Sequence, residues 1–325
     1  MSGEDDLIAR YFKPIATDPG ALGLTDDAAV LKGSGDDLVI TTDAIVEGVH
    51  FRNDDPPETV ARKALRVNLS DLAAKGATPA GFVLTLALRE LDERWLAAFA
   101  NGFAGDAIAF DCPLLGGDTV ASHGPLTISV TAFGRVPRGE MILRSRAQPG
   151  DRIAVSGTIG DAALGLAILS GNVTVSDPDI REPLIQRYRI PQPRLRLAHA
   201  VRNHARAAMD VSDGLAGDLA KLCRASGGSA TVDAAAVPLY EAARGLIEQG
   251  QASFASAVSG GDDYEILCTV ARDRWDDFAR AARVAGVAGV AVTPIGEVVA
   301  GDAPPKWRDA KGDDIALAPL SYSHF

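Results

Sequence analysis

The 325-residue sequence is poor in cysteine, with only Cys112, Cys223 and Cys268. Three widely spaced thiols build neither a disulfide framework nor a zinc site. No apolar run reaches the ~18 residues that suggest a membrane-spanning helix. No Lys/Arg cluster is longer than a few residues. Lys and Arg number 32 against 43 Asp and Glu, a formal net charge of −11. A nucleic-acid-binding chain normally carries a basic face, so neither nucleic acid nor membrane is an expected partner. The start, Met1 to Asp6, is acidic and lacks the basic-then-apolar order of a secretory signal. A cytoplasmic location is expected. Also missing are the H-E-x-x-H, G-x-S-x-G and kinase H-R-D motifs. The five histidines, His50, His123, His199, His204 and His324, include no close metal-binding pair.

What is present is the composition of an ordinary globular protein, 47% hydrophobic and 23% charged. Length alone suggests two domains. Strand-like and helix-like segments alternate in both halves. Strands are expected at 37–42, 126–133, 152–156, 207–211 and 266–270, and helices at 58–75, 92–108, 161–169 and 215–225. The alternation predicts an α/β (α+β) architecture in each half. A Pro-, Gly- and Arg-rich stretch, from Gly134 to Gly139 and on to Asp151, marks the joint. The expected domains are residues 1–147 and 148–325.

Five acidic motifs stand where the chain is expected to turn or to be buried. Leu24 to Val30 carries the pair Asp26 and Asp27 before a short apolar run, a pattern also at home in a plain turn. Leu38 to Asp43 is an apolar strand ending in Thr41, Thr42 and Asp43. Alternation puts Thr41 and Asp43 on one face and Thr42 on the other. Such a tip offers hard oxygen ligands suited to Mg²⁺, or else a cap. On the helix expected from Glu58, Val60, Ala64, Val67 and Asp71 share one stripe. An acid that extends an apolar face needs a cation, a metal or several donors. Leu114 to Thr119 places Gly116 and Gly117 before Asp118, either as a turn or as bare backbone near a phosphate. Met209 to Leu215 ends a strand and begins a helix, with Asp210, Ser212 and Asp213 at the junction. There Ser212 or Asp213 is also a candidate N-cap. Together the acids imply a polyphosphate held through several Mg²⁺ ions. The run Ser156-Gly-Thr-Ile-Gly-Asp161 has the look of a phosphate loop without the Gly-Lys-Ser/Thr ending of a Walker A site.

Thr42-Asp-x-x-Val-x-x-x-His-Phe51, Asn68-Leu-Ser-Asp-Leu-Ala-Ala74, Gly116-Gly-Asp-Thr119, Asp210-Val-Ser-Asp-Gly214 and Gly260-Gly-Asp-Asp-Tyr-Glu265 occur in that order, with His324-Phe325 at the end. In this ordered set the chain resembles the thiamine-monophosphate kinase family from about Leu7 onward. The wider superfamily includes aminoimidazole ribonucleotide synthetase and selenophosphate synthetase. The resemblance implies two domains of mixed sheets flanked by helices. It also implies a homodimer formed by the N-terminal domain, and ATP bound with several Mg²⁺ ions. Carried over by position, Asp27, Thr41, Thr42, Asp43, Asp71, Asp118, Asp210 and Asp213 resemble the metal ligands. Gly117, Asp118, Arg144 and Ser212 resemble ATP contacts. His50, Asp262 and Tyr322 fall where the family contacts thiamine monophosphate. Three positions depart from the pattern: Thr25 stands where Gly is usual, Asp262 where Glu is usual, and Ser321-Tyr-Ser-His-Phe325 ends the chain where the family often has Gly-Tyr-Asp-His-Phe.

The reaction implied is phosphorylation of thiamine monophosphate by ATP. A phosphate nucleophile has a second pKa near 6 and is largely dianionic at neutral pH, so no general base is expected. Direct in-line transfer, driven by positioning and charge neutralisation, follows. Arg144 adds a cationic fork. Two rival readings remain at this stage: another ATP-using synthetase of the superfamily, and a non-catalytic nucleotide- or cation-binding protein.

Overall fold

The computed structural model describes residues 8–24, 31–285 and 290–317. Asp27 and Tyr322 therefore lie outside the described residues. The chain forms two units, Met1–Leu72 with Ala77–Gly139, and Ala73–Gly76 with Glu140–Phe325. Both are mixed sheets flanked by helices.

The first unit is a four-stranded sheet of β1 (Asp37–Val46), β2 (Thr78–Leu88), β3 (Leu114–Ala121) and β4 (Thr127–Val136), in the order β1-β4-β2-β3. Strand β4 is antiparallel to β1 and β2, and β3 runs parallel to β2. Among the described residues its α-helices are α1 (Pro57–Ala74) and α2 (Glu93–Ala109). Pro57 begins α1, where its missing N–H costs nothing. Asp92 caps α2 by accepting from the N–H groups of Arg94 and Trp95. The helices touch closely at Gly102, where a Cβ would lie 2.5 Å from the Glu58 carbonyl oxygen. They cover one sheet face. Phe82, Leu84, Leu86, Ile128, Val130 and Ala132 are buried there, and Phe82 stacks on Phe103 of α2 at 5.4 Å. Arg66 of α1 makes a buried two-point ion pair with Asp106 of α2, at 2.5 and 2.8 Å. On the opposite face, the open side among the described residues, Leu38, Ile40 and Val120 are exposed.

The second unit has a seven-stranded sheet. Its strands are β5 (Arg152–Ser156), β6 (Ala205–Asp210), β7 (Ser229–Asp233), β8 (Ile266–Val270), β9 (Val292–Val299), β10 (Lys306–Arg308) and β11 (Asp314–Ile315), in the order β11-β10-β7-β9-β5-β8-β6. Its helices are α3 (Asp161–Leu169), α4 (Pro178–Arg189), α5 (Ala198–His204), α6 (Leu215–Ser226), α7 (Glu241–Glu248), α8 (Phe254–Ser259) and α9 (Trp275–Ala285). Residues of α6 join one core with Ile153 and Val155, while α5 and α9 join another with Ala154. This is the period-2 alternation of a strand buried on both faces. All three thiols are buried and free. Burial pushes Cys112 and Cys268 up to about 12, so neither is a ready nucleophile.

Two local expectations change. The 37–42 strand continues to Val46 because β4 pairs with it along its whole length. Asp43 therefore sits within a strand, not at its tip. Gly116 and Gly117 form no turn but lie inside β3. A Cβ on Gly117 would lie 2.0 Å from the Leu84 carbonyl oxygen, so glycine here lets two strands approach.

Candidate functional site

In the first unit, strand register decides which acids meet. Thr41, Asp43, Val39 and Ile45 share the helix-covered face of β1, while Thr42 faces the open side. From α1, Asp71 reaches down to that covered face and accepts a hydrogen bond from Thr41 Oγ1 at 2.5 Å. Val60, Ala64 and Val67 of the same stripe are buried, as the spacing predicts. Asn68, one turn before Asp71, donates Nδ2 to the Ala64 carbonyl at 3.1 Å. Its buried Oδ1 has no hydrogen-bond partner among the described residues. Thr41 and Asp71 offer hard oxygens, the kind that Mg²⁺ prefers. Thr42 donates to the Val130 carbonyl at 3.2 Å and accepts from Thr131 at 3.0 Å, so its hydroxyl is tied to β4.

Asp118 is not brought to this group within the unit. The ladders set Ala44, Ser129, Thr85 and Asp118 in one row across four strands. Paired residues share a face, so Asp118 points to the open side. Three strand spacings separate β3 from β1, about 14 Å. Among the described residues no three His, Cys, Asp or Glu side chains gather as a metal cluster.

His50 follows β1 in a tight turn. The Val46 N–H donates to its Nδ1 at 3.0 Å. That bond fixes Nδ1 as the acceptor and leaves Nε2 to carry the proton of the neutral ring. Gly48, with φ of +79°, permits the turn, and its N–H donates to the Phe51 carbonyl at 2.8 Å.

In the second unit, Asp210 is buried at the end of β6, and Ser212 and Asp213 lie on the turn into α6. Neither Ser212 nor Asp213 caps the helix. Gly214 occupies the cap without a side-chain bond. Instead Asp218, fully buried in the first turn, accepts from the N–H groups of Ser212 and Asp213, each at 3.0 Å. Lys221 donates to Asp218 at 2.8 Å and also pairs with Asp213. Burial raises the Asp218 carboxyl, and Lys221 pulls against that shift. Arg144 is exposed, and its carbonyl accepts from Ser226 Oγ at 2.9 Å.

A second loop is zipped onto this one. The Asp262 N–H donates to the Ser212 carbonyl at 2.8 Å and the Tyr264 N–H to the Val211 carbonyl at 2.7 Å. Val211 N–H returns a bond to the Glu265 carbonyl at 2.8 Å. Asp262 and Tyr264 have φ of 64° and 51°, the left-handed region that non-glycine residues rarely enter. The sequence reading missed the acids and bases beneath this loop: Asp161, Asp263, Glu265, Arg187 and Arg194. Asp161 closes the Ser156–Asp161 run, and Asp263 and Glu265 stand within a recognised motif. Arg187 lies in α4 and Arg194 in the loop that follows it, and neither carries a local signal.

Burial holds the Asp263 carboxyl well above its ordinary value of 3.8, Asp161 adds to the rise, and the Gly160 N–H opposes it. A carboxyl whose folded pKa is raised favours the fold when protonated. This stabilisation is complete below 3.8 and is lost as pH rises through the raised value. Wild-type stability in urea should fall across that window, and Asp263→Asn should fall less. Equal losses in both proteins would place the titration elsewhere.

Two family models, both described as AIR synthase related protein, match the chain: the N-terminal domain over residues 25–136 and the C-terminal domain over residues 148–304. A thiamine-monophosphate kinase of Caulobacter vibrioides is 46% identical, covering 99% of this chain and 90% of the relative. The crystal structure of a thiamine-monophosphate kinase from Stenotrophomonas maltophilia K279a superposes with a TM-score of 0.82 at 39% identity, covering 96% of each chain. A solved complex described as AaThiL complexed with AMPPCP and TMP gives a TM-score of 0.79 at 31% identity, covering 92% of this chain and 91% of the other. Near full-length identity of this order, on a matching two-domain fold, means that the chain belongs to the thiamine-monophosphate kinase family.

Proposed function

We propose that the protein transfers the γ-phosphoryl group of ATP to thiamine monophosphate, yielding thiamine diphosphate and ADP. The observation that carries this reading is the likeness, at 31% identity over nine-tenths of both chains, to the solved complex with AMPPCP and TMP. The acceptor phosphate is already anionic near neutral pH, so the protein need not remove a proton. The barrier is repulsion between two polyanions. Bound Mg²⁺ supplies positive charge on the transferring oxygens.

For the protein's own residues we assign the following roles. Residues 1–147 form the ATP/Mg²⁺-binding and dimerisation domain, and residues 148–325 the second α/β domain. In the first unit, Thr41, Asp43 and Asp71 hold divalent ions on the helix-covered face of β1, with Asp27, outside the described residues, as a further ligand. Thr42 and Asp118 are ligands on the open face. In the second unit Asp210 and Asp213 are ligands, and Ser212 contacts ATP, as do Gly117 and Arg144. His50, Asp262 and Tyr322 contact thiamine monophosphate, Tyr322 again outside the described residues. No helix among the described residues is long and apolar enough to cross a membrane. The cytoplasm is the proposed location.

Register supports a specific form of the dimer. Asp118 and Thr42 face the same open side but sit on strands three spacings apart. The apolar side chains Leu38, Ile40 and Val120 are exposed on that same face. A two-fold axis parallel to the strands stacks β1 of one copy over β3 of the other. We therefore assign Asp118 to the site of the second copy, beside that copy's Thr42.

Coupled measurement of ADP release tests the reaction. ADP should form only when thiamine monophosphate and Mg²⁺ are both present. ADP release without the acceptor would indicate a different synthetase chemistry, and none under any condition a binding protein. Mixing tests the dimer. Asp71→Asn and Asp118→Asn homodimers should each be inactive. Co-refolded mixtures should regain about a quarter of the wild-type rate, because half the dimers are mixed and each has one intact site. No recovery would place Asp118 and Asp71 in the same chain's site.

A further inference from the structure

Between β5 and α3 the run Ser156–Asp161 has the strand–loop–helix layout that commonly receives a phosphate. In this protein it receives carboxylates of the chain itself. The Gly160 N–H donates to both oxygens of Asp263, at 2.9 and 3.0 Å. Ser156 Oγ donates to Glu265 Oε2 at 2.5 Å. Gly157 has φ of +58°, and a Cβ there would lie 2.2 Å from Glu265 Oε1. The loop is therefore shaped around an acid already in place.

Glu265 has no exposed surface. Two guanidinium groups close on it. Arg187 donates to Oε1 at 2.7 Å, and Arg194 donates to Oε2 at 2.6 Å and again to Oε1. Arg187 also lies 3.6 Å from Asp161, whose Oδ2 accepts from Thr158. A carboxylate with two charged donors and a hydroxyl is among the most firmly held groups a protein can offer.

Its backbone carries that anchorage outward. Glu265 ends the zipped loop, its carbonyl accepts from Val211, and Ile266 N–H donates to Ser156 Oγ at 2.8 Å. Immediately before it lie Asp262 and Tyr264 in left-handed backbone. Such conformations persist only where the surroundings over-determine them. Here the surroundings are the Glu265 anchor on one side and the Val211–Ser212 backbone on the other. Gly261 is part of the same contact, since a Cβ on it would lie 2.6 Å from the Ser212 carbonyl oxygen.

We propose that Glu265, clamped by Ser156, Arg187 and Arg194, is a positioning residue that makes Val211–Asp213 and Gly261–Tyr264 a single body. Nucleotide binding at the first segment and thiamine monophosphate binding at the second are thereby coupled. The proposal rests on the roles given to Ser212, Asp213 and Asp262 under the proposed function. It concerns neither the metal ions nor the chemical step. Glu265 and its arginines act through the loops and do not touch substrate.

Titration calorimetry on the full chain tests it. The probes are thiamine monophosphate, with and without saturating Mg²⁺ and AMPPCP, and the nucleotide analogue with and without thiamine monophosphate. In the wild type each ligand should tighten the other by the same factor, at least about fivefold, as linkage requires. In Glu265→Gln, which keeps the shape but faces two guanidinium groups with a neutral amide, the factor should fall to within about twofold of unity. Arg194→Lys keeps the charge, gives up the two-point grip, and should show the same loss with a smaller effect on melting temperature. It carries the test if Glu265→Gln does not fold. A wild-type factor of one, or variants that weaken both ligands while the factor stays unchanged, would overturn the coupling and leave Glu265 purely structural. Failure of the wild type to bind either ligand would overturn the functional reading, and the proposal with it.

Discussion

A carboxylate removed from water must find a partner or give up its charge, and in this protein the kind of partner sorts the acids into two groups. One group is matched by the protein's own cations or amides. Asp106 takes Arg66, Glu265 takes Arg187 and Arg194, and Asp218 takes Lys221 with two backbone N–H groups. These acids hold the framework, and breaking one pair leaves a buried charge alone, which typically costs about 3–5 kcal/mol. The other kind is Asp71, which takes a neutral hydroxyl from Thr41. A hydroxyl adds no positive charge, so Asp71 retains the capacity to attract a divalent ion. Rigid strands and a helix stripe fix where that charge is aimed.

In the second unit the framework acids hold the loops to which ligand contacts are proposed. Asp218 fixes the peptide planes of Ser212 and Asp213, and Glu265 fixes the loop that carries Asp262. Both do so from full burial, where a hydrogen bond is electrostatically stronger than in water. Lys221 ties the first of them to Asp213, because it pairs with buried Asp218 and with Asp213 together. Positioning of this kind is what phosphoryl transfer asks of a protein when the nucleophile arrives already charged.

Local periodicity made much of this readable in the residue order. The stripe Val60, Ala64 and Val67 is buried as its spacing predicts, whereas Asp71 at its end is only half-buried and takes one neutral donor, Thr41, in place of the cation, metal or several donors expected. Segments 152–156, 161–169 and 266–270 match the observed elements to the residue. Other features depend on partners distant in sequence. The end of β1 is set by pairing with β4, more than eighty residues later, so Asp43 was mistaken for a strand tip. The Gly116-Gly117 pair reads as a turn until Leu84 is seen packed against it. The resemblance of Ser156–Asp161 to a phosphate loop was a true reading of backbone shape, but the anion it holds comes from Asp263 and Glu265, about a hundred residues away. Arg187 and Arg194 gave no signal, because their partner is visible only after folding.

The central claim is that positioned charge, with no covalent relay through the protein, brings two phosphoryl groups together. Its most direct test is the stereochemical course with ATP made chiral by isotopes and sulfur at the γ-phosphorus. A single in-line displacement predicts inversion of configuration in the thiamine diphosphate formed. Retention would mean two displacements through a phosphorylated protein side chain, and would contradict the account.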